Sequence, residues 1–313
     1  MSIGKSGKIL TVGRVYCDFV FSEFARMPVL GEEVFADKFG VHAGGGAYIT
    51  AAHLVSCGKT TALCAVLPAA PFDALIHEEI FSADIDVGPC VVASPEWGIQ
   101  TTIAMAHNGD RAFLTRRGGF AVPAACQKEL ASGKYRHLHI AELATLIECP
   151  QLLDWASQAH LTVSLDCSWD EGAMHHRDAT KLISQVDVFL PNLAELQFIL
   201  QTDEIVASDV NATFGESCLV VVKKSADGAS LIQSGDQIHS PAIAREVVDT
   251  TGAGDAFNAG FISAWLDGRT SAECLLAGNK QASICVSSLG GASSHDRKTE
   301  QLYNQLKTPV GSR

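Results

Sequence analysis

Along the chain, short runs of apolar and β-branched residues alternate with stretches in which apolar positions recur every three or four residues. The runs at 9–13, 61–67, 137–140, 162–166, 186–190, 218–223 and 229–233 predict strands. The longer spacing predicts helices over 47–57, 149–159, 193–200 and 253–267. Runs such as VDVFLPN and CLVVVKK lack the polar alternation of a half-solvated strand, so they predict central strands covered on both faces. The alternation as a whole predicts an α/β fold, a doubly wound and mostly parallel sheet with helices on both faces.

Two stretches break this rhythm. Residues 19–41 and 100–115 have strand composition without long helices between, and the second carries Asn108-Gly109, a strong hairpin signal. They predict a small antiparallel β lid, built from about 14–41 and 99–117, on a single domain spanning 1–313. Residues beyond Leu306 predict a loosely held tail.

Composition narrows the function classes. With 23 Lys and Arg against 35 Asp and Glu the formal charge is −12, a field that repels nucleic acid and anionic lipid. No apolar run approaches the ~18–20 residues of a membrane span, and MSIGKSGK has no apolar leader region. The ten cysteines are scattered with no C-x-x-C pair, which predicts buried thiols in a reducing compartment. A cytoplasmic protein is expected.

The most informative string runs from Asp249 to Phe261, DTTGAGDAFNAGF, after an expected short strand at 246–248 and into a helical pattern. Glycines at a helix entrance let backbone N–H groups converge on an anion, and the helix dipole adds positive potential. An anion hole is therefore expected at Gly252, Ala253 and Gly254, with Asp255 beside it. A carboxylate next to a bound anion suits proton transfer or cation binding. At that helix end it is expected to stay ionised at neutral pH. Other patterns are weaker. Gly4-Lys5-Ser6 lacks the upstream glycine of a phosphate loop, and Phe257 spoils a dinucleotide fingerprint. His137, His139, His175 and His176 lack partners for a four-ligand metal site and read as strand-end and loop histidines. Trp155, Trp169 and Trp265 read as packing residues.

The string resembles the second signature of the ribokinase-like (PfkB) carbohydrate kinases, and further segments fit in order. KILTVGRVYCDFVF is similar to the first strand with its substrate-binding Asp, here Asp18; VHAGGGAYITAAHLVSCG resembles the first signature. Pro191-Asn192-Leu193-Ala194-Glu195 resembles the N-x-x-E motif, and AGNKQASICVSSLGGASS the adenine-side helix and loop. The resemblance implies ATP-dependent phosphorylation of a primary hydroxyl of a sugar or sugar acid, with Asp255 as general base and the Gly252–Gly254 amides as anion hole. It implies acceptor contacts from Asp18, Gly44, Gly45, Tyr48 and Arg117, and ATP contacts from Asn192, Lys223, Ser225, Gly228, Gly254 and Asn279. It also implies Mg2+ held through water near Glu195, and K+ near Asp249, Thr251, Cys285, Ser288, Gly290 and Ser294. A homodimer joined through the lids is a further implication.

Departures sharpen the question of substrate. The family's Asn after the Gly-Gly turn aligns with Ile49, its acidic element after the third strand is replaced by LPAAPFD, and its T-x-G reads Lys223-Lys224-Ser225. Arg116 and Arg117 follow the lid, where a guanidinium suits a carboxylate. These features predict an acceptor with an anionic or bulky group. Two alternatives stay open: a nucleoside kinase using Phe19, Tyr48 and Phe113 around a base, or a non-catalytic binding protein.

Overall fold

A computed structural model of the chain describes residues 7–107, 110–287 and 291–292. In chain order its strands are β1 (Lys8–Val12), β2 (Tyr16–Ser22), β3 (Lys38–Gly44), β4 (Thr61–Cys64), β5 (Val66–Leu67), β6 (Val91–Val92), β7 (Thr101–His107) and β8 (Asp110–Arg116). They continue with β9 (Tyr135–Ile140), β10 (Thr162–Asp166), β11 (Val188–Leu190), β12 (Leu219–Lys223), β13 (Ala229–Gln233) and β14 (Asp236–Ser240).

The large sheet has the order β14-β13-β12-β11-β10-β9-β1-β4. All pairs from β4 to β12 are parallel, and β13 and β14 add an antiparallel edge. Successive residues of a strand point to opposite faces. Thus Leu10 packs with Leu138, Ile140 and Phe189 on one side, while Ile9 packs with Val188, Val221 and Phe261 on the other. Both faces are apolar because helices cover both.

From β1 the chain moves outward to β4, then returns to place β9 on the other flank of β1. Such a reversal opens a crevice at the carboxyl ends of the strands, where ligands bind in doubly wound sheets. Gly13, Glu142, Asp166, Asn192 and Lys223 all lie at or just beyond those ends.

The second sheet has the order β3-β2-β7-β8, two antiparallel hairpins joined by a parallel β2–β7 pair. His107 pairs with Asp110 at the end of the second hairpin; Asn108 and Gly109 lie outside the described residues. A buried cluster including Val15, Cys17, Ala47, Tyr48 and Ile76 lies where this sheet meets the domain.

Several local expectations are revised. The run at 61–67 splits into β4 in the large sheet and β5, which pairs with β6. The helix expected from 149 starts at Gln151, behind Pro150. Residues 246–248 form no strand: Val247 and Val248 are exposed, and the Val248 amide donates to the Val286 carbonyl rather than to a neighbouring strand. His137 and His139 sit inside β9, fully buried and hydrogen-bonded to Thr162 and Ser164. All ten cysteines are free. Among the described residues no helix is long and apolar enough to cross a membrane.

Phe261 lies at 0% exposure in the layer that carries the 249–261 helix against the sheet. Phe261→Ala should lower unfolding free energy by about 3–5 kcal/mol, the usual range for a buried aromatic. Urea unfolding measures it, and a loss under about 1 kcal/mol would show a loosely packed layer.

Candidate active site

The segment before the helix Ala253–Leu266 is a tight turn. Asp249 Oδ1 accepts from the Thr251 amide at 2.8 Å, and the Ala253 amide donates to Thr250 O at 3.2 Å. Gly252 has φ 72°, and a Cβ there would sit 2.6 Å from Gly291 Cα and 3.0 Å from Ile49 Cγ2. Both the conformation and the close approach require glycine. First-turn amides have no intrahelical acceptor, so Gly254 and Asp255 present theirs at the positive end of the helix. Of the three amides expected to form the hole, that of Ala253 is engaged within the turn itself.

Below this hole lies a buried charge cluster. Lys223, at the end of β12, donates to Asp166 Oδ1 at 2.8 Å and to Asn258 Oδ1 at 3.2 Å. Asn258 in turn donates to Asp166 Oδ2 at 2.6 Å, closing a triangle. A Cβ built on Gly254 would stand 3.5 Å from Lys223 Nζ, so the ammonium faces the hole. Glu195 closes a capping box with Asn192: its carboxylate accepts the Asn192 amide at 2.7 Å, and Asn192 Oδ1 accepts the Glu195 amide at 2.8 Å. The motif residues thus first hold each other.

Asp255 is half-buried, at the edge of the charge cluster. Burial and then the nearby Asp166 push its pKa up to about 7, against the pull of Lys223 and Arg111. This corrects the expectation of an Asp ionised throughout the neutral range, because the helix end does not offset desolvation plus a second carboxylate. Glu195 is likewise raised to about 7 by burial and Asp166, with Lys223 opposing. Burial works against the Lys223 charge, yet Asp166 and Glu195 hold its pKa above the ordinary value.

The opposite wall is bare backbone. A Cβ on Gly44 would lie 2.0 Å from Asp18 Oδ2, and one on Gly45 would meet Arg14 O at 2.2 Å. A Cβ on Gly46 would lie 2.7 Å from Asp255 Oδ1. The Gly44–Gly46 turn therefore brings Asp18 and Asp255 to the two ends of one short segment. Asp18 Oδ1 is buried with no hydrogen-bond partner, and burial raises its pKa to about 7 against His42 and Thr102. Thr50 Oγ1 stands 3.4 Å from Asp255 Oδ1.

Other expected residues are placed differently. Tyr48 is fully buried, its hydroxyl donating to Glu79 O at 3.4 Å. Ile49 packs on Gly252 and Gly291, so it braces the signature turn and does not stand in for an acceptor-binding amide. Arg117 pairs with Asp170 and donates to the Tyr16 hydroxyl at 3.4 Å, with buried Glu142 beside both. Arg116 donates to Ile99 O and Trp97 O. Arg117 is thus matched by a carboxylate, whereas Arg116 is held by backbone carbonyls alone.

On the nucleotide side, Asn279 donates to Ser240 O, Ser240 Oγ and Pro241 O, fastening the helix Ser271–Cys285 to the end of β14. A Cβ on Gly228 would meet Ser240 O at 2.2 Å, so this glycine also serves packing. Ser225 opens the short turn Ser225–Asp227 next to Lys224. The Cys285 thiol donates to Thr251 O at 3.3 Å and Gly291 O at 3.5 Å. Ser288, Gly290 and Ser294 lie outside the described residues.

Residues 7–298 match the model of the pfkB family carbohydrate kinases. The chain belongs to this family. It is a phosphotransferase, a sugar or nucleoside kinase of the ribokinase type. It is 30% identical over 195 residues to an uncharacterized sugar kinase of Archaeoglobus fulgidus, covering 60% of this chain and 76% of the relative. It is 33% identical over 138 residues to an Arabidopsis thaliana ribokinase, covering 42% of this chain and 36% of that protein. The solved Arabidopsis thaliana ribokinase with ribose and ATP superposes with TM-score 0.76 at 21% identity, covering 97% of this chain and all of that one. A Methanocaldococcus jannaschii nucleoside kinase superposes with TM-score 0.72 at 21% identity, covering 96% of this chain and 99% of that one.

Several members of this PfkB site escaped sequence reasoning: Asp166, Asn258, Glu142, Thr50 and Gly46. Asn258 carried a usable signal, since it follows Asp255 by three residues on the same helix. The glycines give a discriminating test. Gly252→Val forces a β-branched side chain into positive φ against Gly291, so stability and activity should fall together. Gly254→Val meets only ordinary contact with Lys223 and should weaken nucleotide binding with Tm changed by about 2 °C or less. Equal Tm losses in the two variants would contradict this division.

Proposed function

We propose that the protein transfers the γ-phosphoryl group of ATP to a primary hydroxyl of an electrically neutral sugar or polyol. The observation that carries the reading is the glycine turn 44–46, which sets the unpartnered Asp18 oxygen and the Asp255 carboxylate against one stretch of bare backbone. An acceptor hydroxyl donating to Asp18 orients the molecule. A second hydroxyl within reach of Asp255 gives up its proton as the bond to phosphorus forms. The amides of Gly254 and Asp255, with Lys223 beneath, take up negative charge on the transferring group. With little covalent chemistry to perform, positioning and charge carry the rate.

Neutrality follows from the arginines. Arg117 is matched by Asp170 and faces Glu142, while Arg14 pairs with Glu148 at 2.5 Å. A carboxylate on the acceptor would have to displace Asp170 and tolerate Glu142. Two of the three aromatic residues considered for a nucleoside base are also spent elsewhere: Phe19 packs on Phe39 and Phe72, and Tyr48 is buried, which leaves Phe113 alone, under the Arg111 guanidinium.

The donor and ion assignments rest on residue chemistry. Among the described residues no three His, Cys, Asp or Glu side chains gather to hold a metal. Mg2+ would arrive with the phosphates and neutralise their charge, and Asn192 and Glu195 would hold it through water; a putative ribokinase II of E. coli, solved with ATP and Mg2+, superposes with TM-score 0.76. For K+, the carbonyls of Thr251 and Gly291 converge on the Cys285 thiol, and Asp249 is committed to the Thr251 amide. A dimer through the lids is supported by exposed apolar side chains on the outer strands and just past them, Phe39, Phe113, Leu114 and Phe120.

ADP release measured over neutral sugars, sugar acids and nucleosides tests the reading. Neutral sugars or polyols should give the highest kcat/KM, and preference for an acid, lost in Arg117→Ala, would overturn neutrality. Asp255→Asn should lower kcat by about 10²–10⁴-fold. In the wild type, kcat/KM should fall as pH drops through about 7, because Asp18 and Asp255 both become protonated there. The same shift predicts a stability gain. The folded pKa of Asp255 exceeds its unfolded value, so the carboxylate destabilises the fold at pH 8 and ceases to do so at low pH. Asp255→Asn should therefore raise Tm at pH 8 by about 2 °C or more, with the gain vanishing near pH 4.

A further inference from the structure

We propose that Arg111, on lid strand β8, is a positioning residue that latches the lid to the phosphate loop, so that phosphoryl transfer proceeds only with the lid seated. The inference rests on the kinase reading and adds to it a device that couples the two halves of the site. Arg111 donates from Nη1 to Thr250 Oγ1, a partner 139 residues away in sequence. Its guanidinium carbon stands 5.3 Å from the ring centroid of Phe113, two residues along the same strand face. That contact braces the long side chain.

The place of the bond gives it consequence. The lid is fastened at its base: the Cys17 amide donates to Gln100 O, and Arg14 binds Gln100, the Gly118 carbonyl and Glu148. Arg111 lies at the other end, one residue inside the β7–β8 hairpin where His107 pairs with Asp110. Thr250 is where the lid tip meets the catalytic loop, and the carbonyl of Thr250 accepts the Ala253 amide in the turn that aims the hole. One side chain thus joins the tip-side end of the lid to the loop that precedes the signature helix. Asp249 on the loop, Asp255 in the first turn of the signature helix, Asp166 and Lys223 on the sheet and Thr50 on the helix Gly46–Ser56 contribute to the charged and polar surroundings. A guanidinium added there offsets a carboxylate excess. With the lid raised, water reaches the phosphate and hydrolysis competes with transfer.

The test compares Arg111→Gln, Arg111→Lys, Thr250→Val and the double variant Arg111→Gln/Thr250→Val. Arg111→Gln should lower kcat for transfer by about 10–100-fold and raise KM for the acceptor, leaving KM for ATP within about threefold. The ratio of ATP hydrolysis to transfer should rise. Arg111→Lys, which keeps the charge but loses the planar fork, should recover part of the loss. Thr250→Val should mimic Arg111→Gln, and the double variant should be no worse than either single one. Additive losses, or an unchanged hydrolysis-to-transfer ratio, would overturn the latch. Hydrogen exchange gives a readout independent of turnover: amides at 101–107 and 111–116 should exchange faster in Arg111→Gln and in Thr250→Val. Wild-type exchange in both would also overturn it. If the wild-type protein phosphorylates nothing on the acceptor panel, the kinase reading fails, and the exchange comparison still decides whether the latch exists.

Discussion

The structure depends on one buried ammonium. Lys223 stands where β12 ends, with Asp166, Glu195 and Asp255 around it and a single positive charge to offer them. Burying ions is tolerable only when they are paired and hydrogen-bonded. Asp166 is satisfied by Lys223 and Asn258; the other two carboxylates are left near neutrality in proton affinity. Three secondary elements are thereby tied to one point: β10 through Asp166, β12 through Lys223 and the signature helix through Asn258. The proposed catalytic carboxylate, Asp255, is one of the two that the cluster leaves without a full counter-charge.

Glycine plays the complementary part. The phosphate side and the acceptor side must both bring backbone close to polar atoms, and a side chain at 44, 46 or 252 would occupy that space. The two glycine-rich turns also meet each other, since Ile49 behind the first packs on Gly252 in the second. An aliphatic side chain at that contact holds the two turns in register without adding a polar group. A sequence position that looked like a lost substrate contact is a packing brace between the two turns of the site.

The fold and the turn that opens the signature helix were legible because their signals are local. Apolar runs and helical spacing report burial directly, and DTTGAGD writes a turn, a positive φ and a helix entrance into consecutive residues. What was not legible depends on partners distant in sequence. Arg117 reads as available charge until Asp170, 53 positions later, folds against it. Asn279 reads as a ligand contact until Ser240 and Pro241 are seen to occupy its amide. The proton affinity of Asp255 is set by Asp166 and by burial, neither visible in a helix-entrance motif. Residues 246–248 have strand composition but no strand edge to join, a fact of tertiary arrangement alone.

The placement of charge explains how a protein of net charge −12 handles polyanionic phosphate. Bulk repulsion is screened beyond a Debye length of about 8–10 Å, so the decisive field is the one inside the crevice. There the attraction comes from groups that do not count in the formal charge, the first-turn amides and helix dipole at Gly254 and Asp255, reinforced by Lys223 below and Arg111 above. Lys223 is fixed in the sheet, whereas Arg111 arrives with the lid. Positive potential at the hole is therefore greatest when the lid is seated over the acceptor, and electrostatics and water exclusion reach their maximum in the same conformation.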